Sequence, residues 1–191
     1  MSYFPARSIT RRLFEAAAAV AAAGAIAACV AASSPAAQAA PAIPACPGTA
    51  IGAWIAVSQG SEASGTTYYP LEFTNVGGRT CSLSGYPVVS AISRAGVRLG
   101  STAGRGLLTV APRVVLAPGA TAHTTLAYHG QLVSTGEGCG PVEGAFELRV
   151  YLAGKQRATY AAFGFQACSH AGPVYLTITE PIRAGVGTNQ G

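Results

Sequence analysis

The stretch that decides the fold is Leu71-Glu72-Phe73-Thr74-Asn75-Val76-Gly77, which closes a partly alternating run that begins at Thr66. Leu71 and Phe73 fall on one face of an extended chain, and the glycine pair at 77–78 permits the chain to reverse. The pattern predicts a half-buried strand that ends in a turn. Asn75 is expected to hydrogen-bond locally and to tolerate a left-handed conformation where the strand ends.

Short segments of the same kind follow one another along the chain, separated by Gly and Pro. Phe146, Leu148 and Val150 alternate with Glu, Arg and Tyr, which predicts a half-buried strand with these three side chains on its core face. Pro118-Gly119 has the residue order of a type II turn. The other predicted strands are 51–57, 86–92, 97–99, 107–116, 121–128, 158–165 and 174–182.

About eight strands with no amphipathic helix between them predict an all-β fold, an immunoglobulin-like antiparallel β-sandwich over residues 46–182. Strands that lack crossover helices pair antiparallel, and two such sheets bury one face each. Trp54 fits the central tryptophan of such a sandwich. A small β-barrel is the alternative architecture, and residues 183–191 are predicted to form a flexible C-terminal tail.

Residues 1–39 are predicted to be a signal peptide, and residues 40–45 a short linker rich in Pro and Ala. Arginines at positions 7, 11 and 12 precede an uncharged, alanine-rich run and then a stretch of Ser, Pro and Gln, which is the order of an export signal. The run Arg11-Arg12-Leu13-Phe14 partly matches the twin-arginine pattern, so that route and the general export route both stay open.

Two processing sites compete in this segment. Ala37-Gln38-Ala39 is a small-residue cleavage site, and it predicts a mature chain that begins at Ala40. Ile26-Ala27-Ala28-Cys29 resembles a lipobox, in which Cys29 would carry a lipid and become the N-terminus. The leading prediction is therefore a secreted, extracellular protein. The alternative is a protein anchored by lipid on the outer face of the cytoplasmic membrane.

Four cysteines follow the signal peptide: Cys46, Cys81, Cys139 and Cys168. An even number in an exported chain predicts disulfides and an oxidising compartment. No pair has the C-x-x-C spacing of a metal site, and neither a metal nor a cofactor is expected. Antiparallel hairpins bring the first two cysteines to one end of a sheet and the last two to the ends of a second hairpin. The predicted bridges are Cys46–Cys81 and Cys139–Cys168.

Composition and motif spacing argue against the common catalytic and nucleic-acid sites. The net charge is +5 but no basic run occurs, so nucleic acid is not an expected partner. All 7 acidic residues are glutamates, which excludes chemistry built on Asp. The chain has no G-x-S-x-G motif, and Gly100–Gly106 lacks the Lys-Ser/Thr ending of a P-loop.

The histidines and glutamates are poorly spaced for a shared site. His123 and His129 would lie roughly 20 Å apart on one continuous strand, and Glu143 and Glu147 roughly 13 Å apart, more than a glycosidase pair needs. His170 is expected on a loop. His170 or His123 within hydrogen-bond reach of Ser or Glu inside a cleft would favour a hydrolase over a binding protein. Glu72 is expected to pair with Arg149 across neighbouring strands.

Three blocks of the sequence resemble one family. They are the stretch 71–77, the stretch Cys81-Ser82-Leu83-Ser84-Gly85-Tyr86-Pro87, and Leu116-Ala117-Pro118-Gly119-Ala120. Together they resemble the exported actinobacterial family known as domain of unknown function 4232, in which an early cysteine opens the domain and two more follow later. The resemblance spans residue 46 to about residue 182. It implies a signal-bearing or lipid-anchored envelope protein with a β-sandwich domain, and it implies no activity and no catalytic residues. Tyr86 in the second block is expected to pack in the core or at a corner.

The candidate binding surface is Tyr68 and Tyr69, together with the loop Gly130–Gly140. Adjacent tyrosines supply rigid, amphipathic contact area, and loops at one end of a sandwich are common recognition surfaces. The leading hypothesis is an exported, non-catalytic envelope or extracellular protein that binds a protein or glycan partner through loops. The alternatives are a secreted hydrolase with an unrecognised site and a purely structural surface antigen.

Overall fold

The structure, a computed structural model, describes residues 42–106, 109–135, 138–153 and 157–188. The predicted signal peptide, with Cys29, Ala39 and Ala40, lies outside the described residues. Within them the chain is almost entirely β, which confirms the predicted all-β class. Thirteen strands occur in these ranges, more than expected, because several pairings involve only two or three residues and leave no alternation in the sequence.

The strands are β1 (Ile51–Ile55), β2 (Ser61–Ala63), β3 (Thr66–Asn75), β4 (Cys81–Leu83), β5 (Val88–Ser93), β6 (Arg98–Leu99), β7 (Gly104–Arg105), β8 (Val114–Leu116), β9 (Thr121–Tyr128), β10 (Val142–Tyr151), β11 (Thr159–Cys168), β12 (Leu176–Ile178) and β13 (Arg183–Ala184). Helical segments of the described residues are the 3-10 turns Gly48–Ala50 and Val57–Gln59 and a short α-helix, α1 (Gly130–Thr135).

The strands form two main sheets and a two-stranded ribbon. The larger sheet has the order β1-β3-β9-β12-β7, with β2 added beside β3 and β13 added beside β9. The smaller sheet has the order β11-β10-β5-β6, and β4 pairs with β8. Strands β12 and β7 run parallel, so the expectation of a wholly antiparallel fold is wrong at this pair. The chain passes through β8 to β11 between them and can therefore return in the same direction.

The hydrophobic core lies between the two main sheets. Leu71 and Phe73 of β3 are fully buried, as their alternation predicted, and they belong to one cluster with Leu148 and Val150 of β10. Burying each such side chain contributes about 1.5–3 kcal/mol. Tyr86 is also buried, which confirms its expected place in the core.

Both predicted disulfides are present. Cys46 is bonded to Cys81 and Cys139 to Cys168, with sequence separations of 35 and 29 residues. Loops of this length correspond to about 3–4 kcal/mol of stabilisation each in the chain-entropy model. The first bridge holds the segment before β1 against β4, where the Cys46 amide donates to the Ser82 carbonyl at 2.9 Å. The second holds the start of β10 to the end of β11.

The turn block around Asn75 forms largely as expected. The fully buried Asn75 accepts a hydrogen bond at Oδ1 from the Gly77 amide at 3.0 Å, and its Nδ2 donates to the Leu116 carbonyl at 3.0 Å. Its backbone is not left-handed, since Ser64 is the non-glycine residue with positive φ in the described ranges. Gly119 has a φ of 79° and the Ala120 amide donates to the Ala117 carbonyl, which confirms the type II turn.

The predicted placement of Phe146 is wrong. The register of β10 shifts between Ala145 and Glu147 relative to both neighbouring strands. Ala145 and Leu148 are buried on the core face, whereas Phe146 is 47% exposed. The bulge shifts the alternation of the two strand faces by one residue. Core-facing positions are therefore odd-numbered before the bulge and even-numbered after it.

Trp54 is not a core tryptophan. Ile51 and Ile55 of β1 are buried on the core face. Trp54 lies on the other face of the strand, and 40% of its surface is exposed. It pairs with Glu72 across β1 and β3 on the outer face of the larger sheet. The expected pairing of Glu72 with Arg149 is also wrong, because β3 and β10 belong to different sheets.

The segment predicted as a flexible tail begins as part of the larger sheet. Arg183 and Ala184 pair with His123 and Ala122 of β9. Farther on, the Gly187 amide donates to Glu72 Oε1 at 3.1 Å, and a Cβ on Gly187 would lie 2.5 Å from Pro70 Cβ. The described part of this segment therefore crosses the outer face of β3. It covers the Glu72 carboxylate, which leaves Glu72 only 5% exposed.

Candidate functional site

Tyr68 and Tyr69 sit at the junction of two concave surfaces. Tyr68 shares the outer face of β3 with Pro70 and Glu72, whereas Tyr69 shares the inner face with Leu71. The first surface, the polar cleft, is lined by Ser61, Glu62, Ala63, Tyr68, Tyr69, Pro70, His123, Thr125, Glu180, Arg183, Gly187 and Thr188. The second, the aromatic groove, is lined by Val57, Tyr69, Tyr128, Phe146 and residues 162–166.

The aromatic groove is a contact zone between the two sheets that remains open to solvent. Phe163 of β11 meets Tyr69 of β3 edge to face, with ring centroids 5.0 Å apart. Phe165 lies 5.0 Å from Phe163 and 5.2 Å from Tyr128 of β9. Such pairs contribute about 0.5–1.5 kcal/mol beyond area burial, so the rings form a fixed wall. The groove has a volume of about 580 Å³.

One side of the groove is the outer edge of β11. This strand is the last of its sheet, and in the described residues no strand pairs with its other edge. The start of β11 lies beside β1, where Thr159 Oγ1 donates to the Ile51 carbonyl at 3.0 Å. Tyr128 Oη donates to the Gln166 carbonyl at 2.9 Å, which shows that the backbone of residue 166 points toward the groove. Gly164, two residues before it, lies where the register between β10 and β11 shifts: Ala145 pairs with Phe165 and Glu147 with Ala162, so residues 163 and 164 together oppose one residue of β10. A Cβ placed on Gly164 meets nothing within 4 Å.

The rim of the groove carries an exposed aromatic ring. The bulge in β10 turns Phe146 outward, where the Arg94 guanidinium lies 4.7 Å from the ring centroid. A cation–π contact of this kind stabilises the position of the ring by about 0.5–1 kcal/mol at an exposed site. The exposed ring adds apolar area to the mouth of the groove.

Two tyrosines near the groove stay protonated well above neutral pH. Burial, with a smaller contribution from the neighbouring Tyr128, raises the pKa of Tyr175 to about 12. Burial also raises the pKa of Tyr128, with an added contribution from Tyr69, against the lowering effect of its bond to Gln166. Tyr175 donates to the Leu99 carbonyl at 2.8 Å. Both phenols thus act as neutral donors.

The polar cleft contains an ordered carboxylate and guanidinium. Glu180 Oε1 accepts from Thr125 Oγ1 at 2.8 Å, and Glu180 Oε2 accepts from Arg183 Nε at 2.5 Å. His123 also lines the cleft, and its Nδ1 bonds to the Gly185 carbonyl at 2.9 Å. Its polar partner is therefore a backbone oxygen of the C-terminal segment and not a Ser or Glu side chain.

The remaining histidines lie apart from both surfaces. His129 bonds through Nδ1 to Thr66 Oγ1 at 2.9 Å and through Nε2 to Thr177 Oγ1 at 3.2 Å. Thr66 is only 7% exposed, so a substrate has no direct access to its hydroxyl. His170 is exposed on the loop after β11. Within the described ranges no group of three or more His, Cys, Asp or Glu is arranged to hold a metal.

The described part of the loop Gly130–Gly140 closes one end of the sandwich. Residues Gly130–Thr135 form helix α1, an element that the sequence pattern did not predict. Val133 is buried in the core cluster, and Cys139 is tied to Cys168. A side chain of this loop that packs inward is unavailable to a partner, so the loop is a weaker candidate surface than the strand edge beside it.

Sequence reasoning identified the two tyrosines but missed the groove that Tyr69 helps to form. Phe163 and Phe165 fell on the predicted strand 158–165, and no role was assigned to them. Gly164 between them was a usable signal, because a glycine inside a strand often marks a bulge, and the register of β11 against β10 shifts there. Glu180, Arg183 and Gly187 of the polar cleft were not predicted at all, since they come together only in the folded chain.

These observations define a disulfide-stabilised, all-β domain with two concave surfaces. The chain belongs to the family described as Domain of unknown function (DUF4232), whose model matches residues 46–179. The match runs from the first disulfide cysteine to just past β12. No curated protein matches the sequence.

The two disulfides indicate an oxidising, non-cytoplasmic compartment. Among the helices in the described ranges, none has the length and apolar character that a membrane crossing requires.

Proposed function

We propose that the protein is an exported, non-catalytic envelope or extracellular protein that binds an extended segment of a partner protein in the aromatic groove. The observation that carries the proposal is the juxtaposition of an unpaired strand edge with a wall of aromatic rings. An added strand gains main-chain hydrogen bonds from such an edge, and its alternate side chains gain apolar contacts from the rings.

The chemistry of the groove favours an uncharged polypeptide segment. Every described residue that lines it is apolar, aromatic or neutral, so a charged ligand would lose hydration there without gaining a partner. Phe163 and Phe165 supply a ring on each side of Gly164, and a Cβ on Gly164 would meet nothing within 4 Å. The expected partner segment is extended and carries apolar residues at alternate positions.

A non-catalytic role is supported by where the histidines make their bonds. A hydrolase of the serine or cysteine type needs a base that contacts an accessible nucleophile. His123 bonds to a backbone carbonyl, and His129 contacts the hydroxyls of the buried Thr66 and the half-buried Thr177 and no serine or cysteine. The hydrolase alternative therefore has no supporting arrangement in the described residues. The structural-antigen alternative predicts that the groove binds nothing.

Secretion with a mature chain from Ala40 is the leading proposal for localisation, and a lipid anchor at Cys29 is the alternative. Both follow from the export-type N-terminal sequence and agree with a disulfide-bonded domain. Mass spectrometry of the protein from its native host separates the two. An unmodified N-terminus at Ala40 supports secretion, and a lipid-bearing Cys29 contradicts it.

The binding proposal is tested with random decapeptides displayed on phage and selected on the exported protein. We expect enrichment of sequences with alternating apolar residues and without a central proline. Gly164→Pro removes an amide of this edge strand, and edge strands and bulges tolerate proline, so peptide binding should weaken by about tenfold or more. Gly164→Ala is the matched control, because it keeps the amide and its methyl group has room.

Hydrogen exchange of the unaltered protein, measured with and without a selected peptide, tests the proposal without any substitution. Strand addition should slow exchange of the Gly164 amide, while amides of β6 at the far edge of the same sheet stay unchanged. The proposal fails if no peptide is enriched, or if the selected peptides bind Gly164→Pro as well as the unaltered protein.

A further inference from the structure

A second site lies on the opposite face of β3 from the aromatic groove. We propose that the polar cleft binds a neutral sugar, with the ring of Tyr68 as the platform and Glu180 and Arg183 as the hydroxyl-binding pair. The cleft has a volume of about 740 Å³, within the usual range for small-molecule sites. Tyr69 borders both surfaces, but the sugar contacts proposed here come from Tyr68, Glu180 and Arg183, which do not line the groove, so this site does not depend on the proposed peptide groove.

The polar pair is held in place before any ligand arrives. Thr125 and Arg183 each donate to a different oxygen of the Glu180 carboxylate, at 2.8 and 2.5 Å. A carboxylate oxygen accepts more than one hydrogen bond, so both Glu180 oxygens keep acceptor capacity. Arg183 uses Nε in this contact, and its terminal amino groups remain as further donors on a side chain that is 50% exposed. Acceptors and donors thus stand next to each other at fixed positions.

The floor of the cleft is apolar and partly aromatic. Tyr68 and Pro70 are two residues apart on β3 and therefore face the same side of the sheet. The electron-rich face of an aromatic ring attracts the weakly positive C–H groups on one face of a sugar ring. Each sugar hydroxyl is both a donor and an acceptor. An aromatic floor beside a carboxylate and a guanidinium matches that combination.

The charges around the cleft disfavour an ionic ligand. Glu62 and Glu180 oppose a phosphate or a carboxylate, while Arg183 opposes a simple cation. His123 adds a ring whose Nδ1 is occupied by the Gly185 carbonyl. A ligand without net charge meets neither repulsion and uses the donors and acceptors together.

One wall of the cleft comes from the C-terminal segment. Gly187 packs on Pro70, donates to Glu72 and approaches the His123 ring, and Thr188 follows it along the wall. A side chain at position 187 would collide with Pro70, so only glycine allows this close approach. The cleft therefore exists in this form only when the C-terminal segment is docked.

The test is saturation-transfer NMR and calorimetry of the exported protein with glucose, galactose, mannose, N-acetylglucosamine and their disaccharides. We expect saturable binding of at least one sugar. Tyr68→Ala and Glu180→Gln should each weaken it about tenfold or more, since each removes a principal contact. Tyr160→Ala, which alters an exposed tyrosine on the other sheet, should leave it unchanged.

Two control experiments distinguish sugar binding from the other outcomes. Inorganic phosphate and calcium chloride are titrated separately, and saturable binding of either in place of a sugar contradicts the proposal. Gly164→Pro should keep full sugar binding, because Gly164 lines the groove and not the cleft. Loss of peptide binding and loss of sugar binding can therefore be observed separately. The proposal is overturned if no sugar in the panel binds, or if binding survives both Tyr68→Ala and Glu180→Gln.

Discussion

The polar cleft and the aromatic groove use neighbouring residues of one strand but are built in different ways. The groove consists of inward-facing rings that would form ordinary core if the sheets closed over them. Apart from Tyr69 at its border, the cleft consists of outward-facing residues that form a concave surface only because the C-terminal segment crosses β3. The groove is thus a part of the core that remains open to solvent. The cleft is an exposed sheet face that the C-terminal segment borders on one side. Damage to the core should therefore affect the groove first, and damage to the C-terminal segment the cleft.

The largest effect is expected at the centre of the ring wall. Phe163→Ala removes the ring that contacts both Tyr69 and Phe165, and truncation of a buried phenylalanine costs about 3–5 kcal/mol. Denaturant unfolding monitored by circular dichroism measures the loss. Tyr160→Ala on the same strand is the control, since this half-exposed side chain should change stability by less than about 0.5 kcal/mol. Equal losses in the two variants would contradict a packed wall.

A slightly smaller effect is expected from opening the disulfide at the end of β11. Replacing Cys139 and Cys168 together by Ser should lower the free energy of unfolding by about 3–4 kcal/mol, because a loop of this length is freed in the unfolded chain. Unfolding is measured without reductant. Hydrogen exchange should accelerate in β11 more than in β9. Uniform acceleration would show that the bridge does not stabilise the groove selectively.

An intermediate effect is expected where the C-terminal segment covers Glu72. Glu72→Ala leaves the Gly187 amide without its acceptor and should cost about 1–3 kcal/mol, measured by thermal unfolding. Glu72→Gln keeps an acceptor oxygen and should recover most of the loss. Proteolysis of the segment after Ala184 should be faster in Glu72→Ala than in Glu72→Gln. The same rate in both would contradict the docking role of this carboxylate.

The smallest effect is confined to high pH. Because the pKa of Tyr175 is raised from 10.0 to about 12 in the folded protein, the unfolded chain loses this proton first. The stability that the protonated Tyr175 contributes is complete below pH 10 and is lost as the pH rises to about 12. Stability measured across this interval should fall more steeply in the unaltered protein than in Tyr175→Phe. Parallel curves would show that Tyr175 titrates normally.

Residues that act through local patterns were predictable. The order Pro118-Gly119 specifies a type II turn because only glycine readily adopts positive φ at the second central position. The side-chain amide of Asn75 forms hydrogen bonds with backbone groups two and four residues along the chain, as a side chain of this length allows. Phe146 was not predictable in this way, because a bulge depends on the two strands that flank β10 and leaves the residue pattern unchanged.

The sequence by itself determined the all-β class, the core face of β3 and the pairing of four cysteines. Each of these rests on alternation, on chain order along hairpins or on the chemistry of a compartment, which are properties of the chain before it folds. Only the tertiary structure decided that Tyr69, Phe163 and Phe165 form an open groove and that Glu180, Arg183 and Gly187 border a cleft. Alternation sets the face on which a side chain lies, but whether another element covers that face depends on contacts between residues far apart in the chain.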